Sequence, residues 1–275
     1  MLHARAGGEA GGGVALGRFR VGELSCPGPQ EASLGGPTSG VQRCSSTVVL
    51  VPFLLDDLPA DVARRYDRLG LPSWPDPHAD VHGPADDEYG RVTDPERFRI
   101  VHARATAWVD VLVSRLGART EPVGPQDGTA LPGEDRGLAV VPPRDGAMRL
   151  LLLEREGDAD TPGLPAPLEV AVVRPDVVLE TVPVCACDAC DHGSAALLDE
   201  VDDAIGHVVA GETVVLRHPR WSATWQPGGA SLSGGGRRMR FDRAMELCRR
   251  VHAGERVRLP WRTEAFAGAP WGERG

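Results

Sequence analysis

Three cysteines and a histidine fall within eight consecutive positions, Cys185-Ala186-Cys187-Asp188-Ala189-Cys190-Asp191-His192. Zinc takes about four thiolate or imidazole ligands in a tetrahedron, and thiolates two or three residues apart on a turn converge on one ion. Cys185, Cys187, Cys190 and His192 are therefore a candidate zinc set. Against a closed site stands geometry, because most structural zinc sites draw ligand pairs from two separate segments. His207, His218 and His252 are candidate distant ligands, and spacing does not choose among them. The same string holds a C-x-x-C pair, in which Cys187 would attack a disulfide and Cys190 resolve it. The flanking periodicity does not provide a thioredoxin-like βαβ frame. A third reading is that small, half-buried cysteines fill a tight strand-to-helix turn, with Asp191 capping the helix and Asp188 facing water. If the cluster opens a helix, the first free N–H groups and the positive dipole end favour thiolates at Cys187 or Cys190.

Other constellations are less pointed. His78, Asp80, His82, Asp86, Asp87 and Glu88 share one loop and could hold a divalent metal for hydrolysis, but their spacing matches no metal motif and solvated loop polarity is the expected reading. Arg237, Arg238 and Arg240 follow Gly234-Gly235-Gly236 and precede a helix, a composition that suits either an anion or plain flexibility. Trp221, Ala223 and Trp225 share one strand face, where core packing is the expected role and ligand stacking the alternative. Cys248 takes a helical core position. No G-x-S-x-G elbow, H-E-x-x-H or P-loop occurs.

Composition narrows the chemistry further. All 30 basic residues are arginine, and neither lysine nor asparagine occurs among the 275 residues. Schiff-base and pyridoxal-phosphate enzymes, P-loop nucleotidases and protein kinases each depend on a lysine, so those classes are disfavoured. Net charge is -9 with a sequence pI of about 5.4, a field that repels nucleic acid and anionic membranes. Residues 1–15 lack the apolar region of a secretory signal, and the run Val48 to Leu55 is broken by Pro52 and too short for a membrane span. Six cysteines are too sparse for a disulfide-built scaffold.

The elements that must position these residues follow from periodicity. Residues 1–44 are rich in Gly, Pro and Ser without helical or strand spacing and read as a disordered tail, with order beginning near Thr47. A helix is predicted from Asp57 and Pro59 to Gly70, carrying Leu58, Val62, Tyr66 and Leu69 at helical spacing. Thr93-Asp94-Pro95-Glu96 has capping-box spacing for a second helix running to about Leu116, with Phe98, Val101, Ala105, Trp108, Val109, Leu112 and Leu116 on one stripe. Gly and Pro dominate from Arg119 to Ala147 around a short Gly137 to Val141 strand. Strands follow at Met148 to Arg155, Leu168 to Arg174 and Val177 to Val184, the last two forming a hairpin around Arg174-Pro175-Asp176 that leads into the cysteines. A helix from about Gly193 to Ala210, strands at Thr213 to Arg217 and Trp221 to Trp225, and a glycine-rich loop come next. A helix from Arg240 to Val251, with Phe241 among its inward residues, precedes the apolar pieces Val257 to Trp261 and Phe266 to Trp271. This order is α+β: one domain over 45–275, mainly antiparallel sheet packed by three to four helices.

The phrase Val182-Pro183-Val184-Cys185-Ala186-Cys187-Asp188-Ala189-Cys190-Asp191, with Thr93-Asp94-Pro95-Glu96-Arg97 upstream and Phe266-Ala267-Gly268-Ala269-Pro270-Trp271 near the end, resembles an uncharacterised actinobacterial domain-of-unknown-function family. The resemblance covers about residues 47–272 and brings no activity or catalytic residue. The resemblance implies that relatives often carry a small polar residue at the position of His192, so that a three-sulfur site would be completed by Asp188, Asp191, water or a distant histidine. The reading as a whole is a cytoplasmic binding or interaction protein with a small cysteine-based zinc site and a protein as partner, rather than nucleic acid or membrane. A thiol oxidoreductase through Cys187 and Cys190, or a metal-dependent hydrolase using the His78 loop, is the alternative.

Overall fold

Leu58, Val62 and Tyr66 recur every four residues and are all buried, so the first helix, α1 (Leu58–Asp67), lays one stripe on the core. A 3-10 turn, Leu55–Asp57, leads into it, and Pro59 occupies its first turn, where a missing N–H costs nothing. These helices belong to a computed structural model that describes residues 55–79, 83–123, 136–154, 166–234 and 239–273. The expected tail over 1–44 and the start of order near Thr47 lie outside the described residues. Leu69, expected on the apolar stripe, is 54% exposed because α1 has already ended.

The second helical run has the expected extent but not the expected start. It comprises a 3-10 segment (Pro95–Arg99), α2 (Ile100–Val111) and a π-helical turn (Leu112–Leu116), closed by Gly117 in the left-handed region at φ 73°. No capping box forms. Asp94 is itself left-handed with no side-chain cap, the Thr93 hydroxyl donates to Asp188, and Glu96 pairs with Arg99. Ile100, Arg104, Ala107 and Val111 are buried alongside the expected stripe, so α2 is enclosed on most of its circumference. It runs through the main core between α1 and a third helix, α3 (Gly193–Val209).

Five strands form an antiparallel meander: β1 (Arg119–Pro122), β2 (Arg136–Val141), β3 (Leu150–Glu154), β4 (Leu168–Val172) and β5 (Val178–Val182), in the order β1-β2-β3-β4-β5. Leu150 and Leu152 face the helices, while Leu151 and Leu153 join a second small cluster with Ala139 and Ala171 on the opposite face. Two-sided burial explains the unbroken leucine run of β3. The β4–β5 hairpin turns at Arg174–Val177 as expected, with Val177 N–H donating to the Arg174 carbonyl at 3.0 Å. The edge strand β1 is fully exposed and carries no alternation, so its formation reflects pairing with β2 rather than its own pattern.

A second antiparallel sheet, in the order β8-β7-β6-β9, is built from β6 (Val214–His218), β7 (Trp221–Gln226), β8 (Gly229–Gly234) and β9 (Glu264–Ala267). Helix α4 (Phe241–His252) covers it with Ala244, Met245, Leu247 and Cys248. Val214 and Leu216 face α4, and Val215 between them joins the main core, the alternation a sheet between two layers requires. Trp221 and Ala223 are buried beneath α4 with Trp225 partly so, which makes their shared face a packing surface. Two expectations fail. Much of the glycine-rich loop is strand β8, held by six register pairs to β7, and Phe241 is 48% exposed, at the first residue of its helix. The architecture is α+β, with two antiparallel sheets and four α-helices. Among the described residues no helix is long and apolar enough to cross a membrane.

One polar contact ties α2 to α3 inside this apolar setting. The Arg104 guanidinium donates to both Asp202 carboxylate oxygens at 2.8 and 2.5 Å, and Trp108 Nε1 donates to the same group at 2.7 Å. Arg104 is only 7% exposed. Removing Asp202 would leave its charge buried without a counter-ion, which typically costs about 3 kcal/mol or more, whereas replacing both partners by apolar groups costs far less. Asp202→Ala is expected to lower the unfolding free energy by about 3 kcal/mol. The pair Arg104→Leu with Asp202→Leu should lose clearly less, both read by urea denaturation.

Candidate metal centre

The chain leaves β5 at Val182, passes a cis peptide bond to Pro183 and enters a short 3-10 turn, Asp188–Cys190, before α3 begins at Gly193. Cys190 N–H donates to the Cys187 carbonyl at 2.9 Å, closing the turn on itself. So tight a loop has little apolar surface with which to hold itself. It is held by its two aspartates.

Asp188 does not face water. Its carboxylate accepts the Thr93 N–H and hydroxyl, each at 2.8 Å, and Arg91 Nε at 2.7 Å. Its own N–H donates to the Arg91 carbonyl at 2.8 Å, and its carbonyl lies 3.0 Å from His78 Nε2. The Arg91 guanidinium, followed by the Thr93 donors, holds the Asp188 carboxyl down at about 2 against the opposing effect of burial. Asp191, buried, accepts Trp74 Nε1 at 3.0 Å, Gly193 N–H at 2.8 Å and Arg97 Nη2 at 2.9 Å. It thus satisfies one N–H at the start of α3, as a capping residue would. Ser194 N–H donates to the Trp74 carbonyl at 3.0 Å. The expected service of the α3 dipole to the thiols is therefore corrected: its first N–H groups are spent on Asp191 and Trp74, not on sulfur.

The three sulfurs come together. Cys185, Cys187 and Cys190 have their Sγ atoms within 4.8 Å of one another, with Cys185 Sγ 3.3 Å from Cys187 Sγ. Cys187 is buried, while Cys185 and Cys190 reach the surface. Burial pushes the Cys187 thiol up, but the Gly90 N–H, the Cys185 and Cys190 thiols and the Cys190 N–H outweigh it and bring it below the usual thiol range. Burial, then the neighbouring Cys187 and Cys185, pushes Cys190 up to about 12. One sulfur thus takes negative charge first, sharing protons with the other two.

His192 does not join them. It is the exposed N-cap residue of α3 and falls outside the group of mutually close donors. The distant candidates are engaged elsewhere: His207 Nδ1 lies 3.0 Å from Glu212, His218 stacks on Trp221, and His252 lies against Trp225. In the other candidate loop, Asp80 and His82 lie outside the described residues, and His78 serves the Asp188 carbonyl. Among the described residues the cysteine triad is the one group of three or more such donors close enough to share a metal ion. Arg237 and Arg238 also lie outside the described residues, and Arg240 is the N-cap of α4. Cys248 is fully buried, its thiol pushed up to about 11 by that burial.

Sequence reasoning missed the second half of this site, Trp74, Gly90, Arg91 and Arg97, which supplies hydrogen bonds rather than ligands. Thr93-Asp94-Pro95-Glu96 was a signal for it, since a threonine placed to cap its own helix is also free to bind a carboxylate elsewhere.

A family model described as "Family of unknown function (DUF6226)" matches residues 61–275, most of the chain, and the chain belongs to that family. No curated protein and no solved structure matches it.

A carboxyl held down in the folded state contributes fully above its unfolded value near 4, and the contribution is lost as pH falls through the folded value. Wild type and Asp188→Asn should therefore differ most in stability above pH of about 4 and converge toward pH of about 2. Urea unfolding across that range checks this, and a difference that ignores pH would show that the Asp188 charge is not what holds the turn.

Proposed function

We propose that this member of the DUF6226 family is a zinc-binding protein, in which Cys185, Cys187 and Cys190 hold one ion as thiolates. The observation that carries the reading is the approach of three sulfurs within 4.8 Å of one another on a turn pinned by Asp188 and Asp191. Sulfurs about a tetrahedral zinc, at bonds of roughly 2.3 Å, lie about 3.8 Å apart. One pair at 3.3 Å and all three sulfurs within 4.8 Å of one another lie close enough to that spacing for small side-chain rotations to reach it. The fit extends beyond the ligands. The surroundings of Cys187 favour its thiolate, and hydrogen bonds from outside the ligand set orient metal ligands, as those to Asp188 and Asp191 do for this turn.

Bound zinc would supply a Lewis-acidic position on this turn, open to a fourth donor. The protein's residues define the rest. Cys187 is buried while Cys185 and Cys190 are exposed, so the cluster can be reached from solvent. A site of this form suits a binding or interaction protein that accepts a donor from a partner protein. The four described cysteines are all free, which suits a reducing compartment such as the cytoplasm.

Metal analysis of protein purified without a histidine tag is expected to find about one zinc per chain. Cys187→Ser should abolish it and His192→Ala should leave it unchanged. Metal-free protein in which Cys187 and Cys190 oxidise readily to a disulfide overturns the reading in favour of a thiol oxidoreductase.

A further inference from the structure

A cavity of about 520 Å³ opens between the β4–β5 turn and the second sheet, far in character from the cysteine turn. In a chain of net charge -9 its walls carry four arginines, Arg174, Arg217, Arg220 and Arg262, against two carboxylates, Asp176 and Glu264. Both carboxylates are already engaged. Arg174 donates to Glu264 at 3.2 and 2.9 Å and to Asp176 at 3.1 Å, and Arg217 reaches Asp176 as well. Arg220 and Arg262 line the same cavity, are exposed, and have no ion pair among the described residues.

Arg262 holds φ 62°, a left-handed conformation that side chains rarely adopt, just ahead of β9. Arg220 is fixed by the β6–β7 turn: its N–H donates to His218 Nδ1 at 3.1 Å, and the His218 ring stacks on Trp221 at 5.5 Å. Gly234 lies against this turn, where a Cβ would be 2.4 Å from the Arg220 carbonyl. A side chain there would displace the turn that presents Arg220.

We propose that this cavity binds a small phosphorylated molecule, with Arg220 and Arg262 clasping the phosphoryl oxygens while Arg174 and Arg217, balanced by Asp176 and Glu264, form a fixed wall of donors without net charge. Planar guanidinium forks match phosphate oxygens in pairs, and the volume falls in the range of small-ligand sites. The site is independent of the cysteine centre and stands whether or not that centre holds metal.

Titration of the full chain with pyrophosphate, followed by calorimetry at low ionic strength, is expected to give saturable binding with Kd below about 1 mM, weakening as salt is raised. Arg220→Ala with Arg262→Ala should weaken it by about tenfold or more. Arg220→Lys with Arg262→Lys should fall between, because the charge remains but the paired donors are lost. Both side chains are exposed, so the variants keep the fold, which circular dichroism checks. No saturable binding by wild type, or binding undiminished in the double alanine variant, overturns the proposal. The second result would also mark any pyrophosphate held by metal at the cysteine turn, which these variants leave intact.

Discussion

The cysteine turn exists in its observed form because two carboxylates, one on each side of Cys190, are bound from a segment about a hundred residues earlier in the chain. Asp188 takes Arg91 and Thr93, and Asp191 takes Trp74 and Arg97. A loop of eight residues with three sulfurs has little apolar area with which to fold alone. Charge-assisted hydrogen bonds to groups already ordered by the core supply what burial does not. The same contacts bring the Trp74 carbonyl to the start of α3. Strand β5, helix α3 and the loop before α2 therefore meet at one point.

Arginine does this work throughout the molecule. Arg97 joins Asp191 while lying over the Trp74 and Phe98 rings, and Arg104 joins Asp202 while lying over Tyr66. A planar guanidinium can grip a carboxylate edge-on and pack its face on an aromatic ring, which an ammonium does less well. A chain without lysine thus has its internal polar joints made by the residue best suited to them. The joint of Arg174 with Asp176 and Glu264 follows the same pattern and spans the two sheets. The C-terminal segment completes the assembly, with buried Trp271 donating from Nε1 to the Met148 carbonyl and from its N–H to the Val209 carbonyl. That contact gives the final phrase of the family resemblance a structural role.

Much of the fold could be read from the residues because burial imposes periodicity. The helical stripes of α1 and α3 face the main core, the apolar runs of β3, β4 and β6 are buried on both sides of their sheets, and each was visible in the residues. What escaped was held by pairing rather than by pattern. Strands β1 and β8 have little or no buried alternation, and they form because a neighbouring strand offers its hydrogen bonds. Phe241 was misplaced because helical spacing puts it on the apolar face, whereas at the first residue of α4 it is left half-exposed.

Composition and local spacing by themselves determined the class of fold, the exclusion of lysine chemistry and the address of the cysteine cluster, since these depend on residue type and on neighbours a few positions apart. Tertiary structure decided which of those residues meet. It brought three thiols together and left His192 in solvent, and it took Thr93 from its own helix and gave it to Asp188. It also gathered four arginines from distant strands and turns around one cavity. Spacing along a chain specifies partners only within a turn or two, whereas hydrogen bonds and charges choose partners by distance in the folded molecule, and that distance is set by how the cores pack.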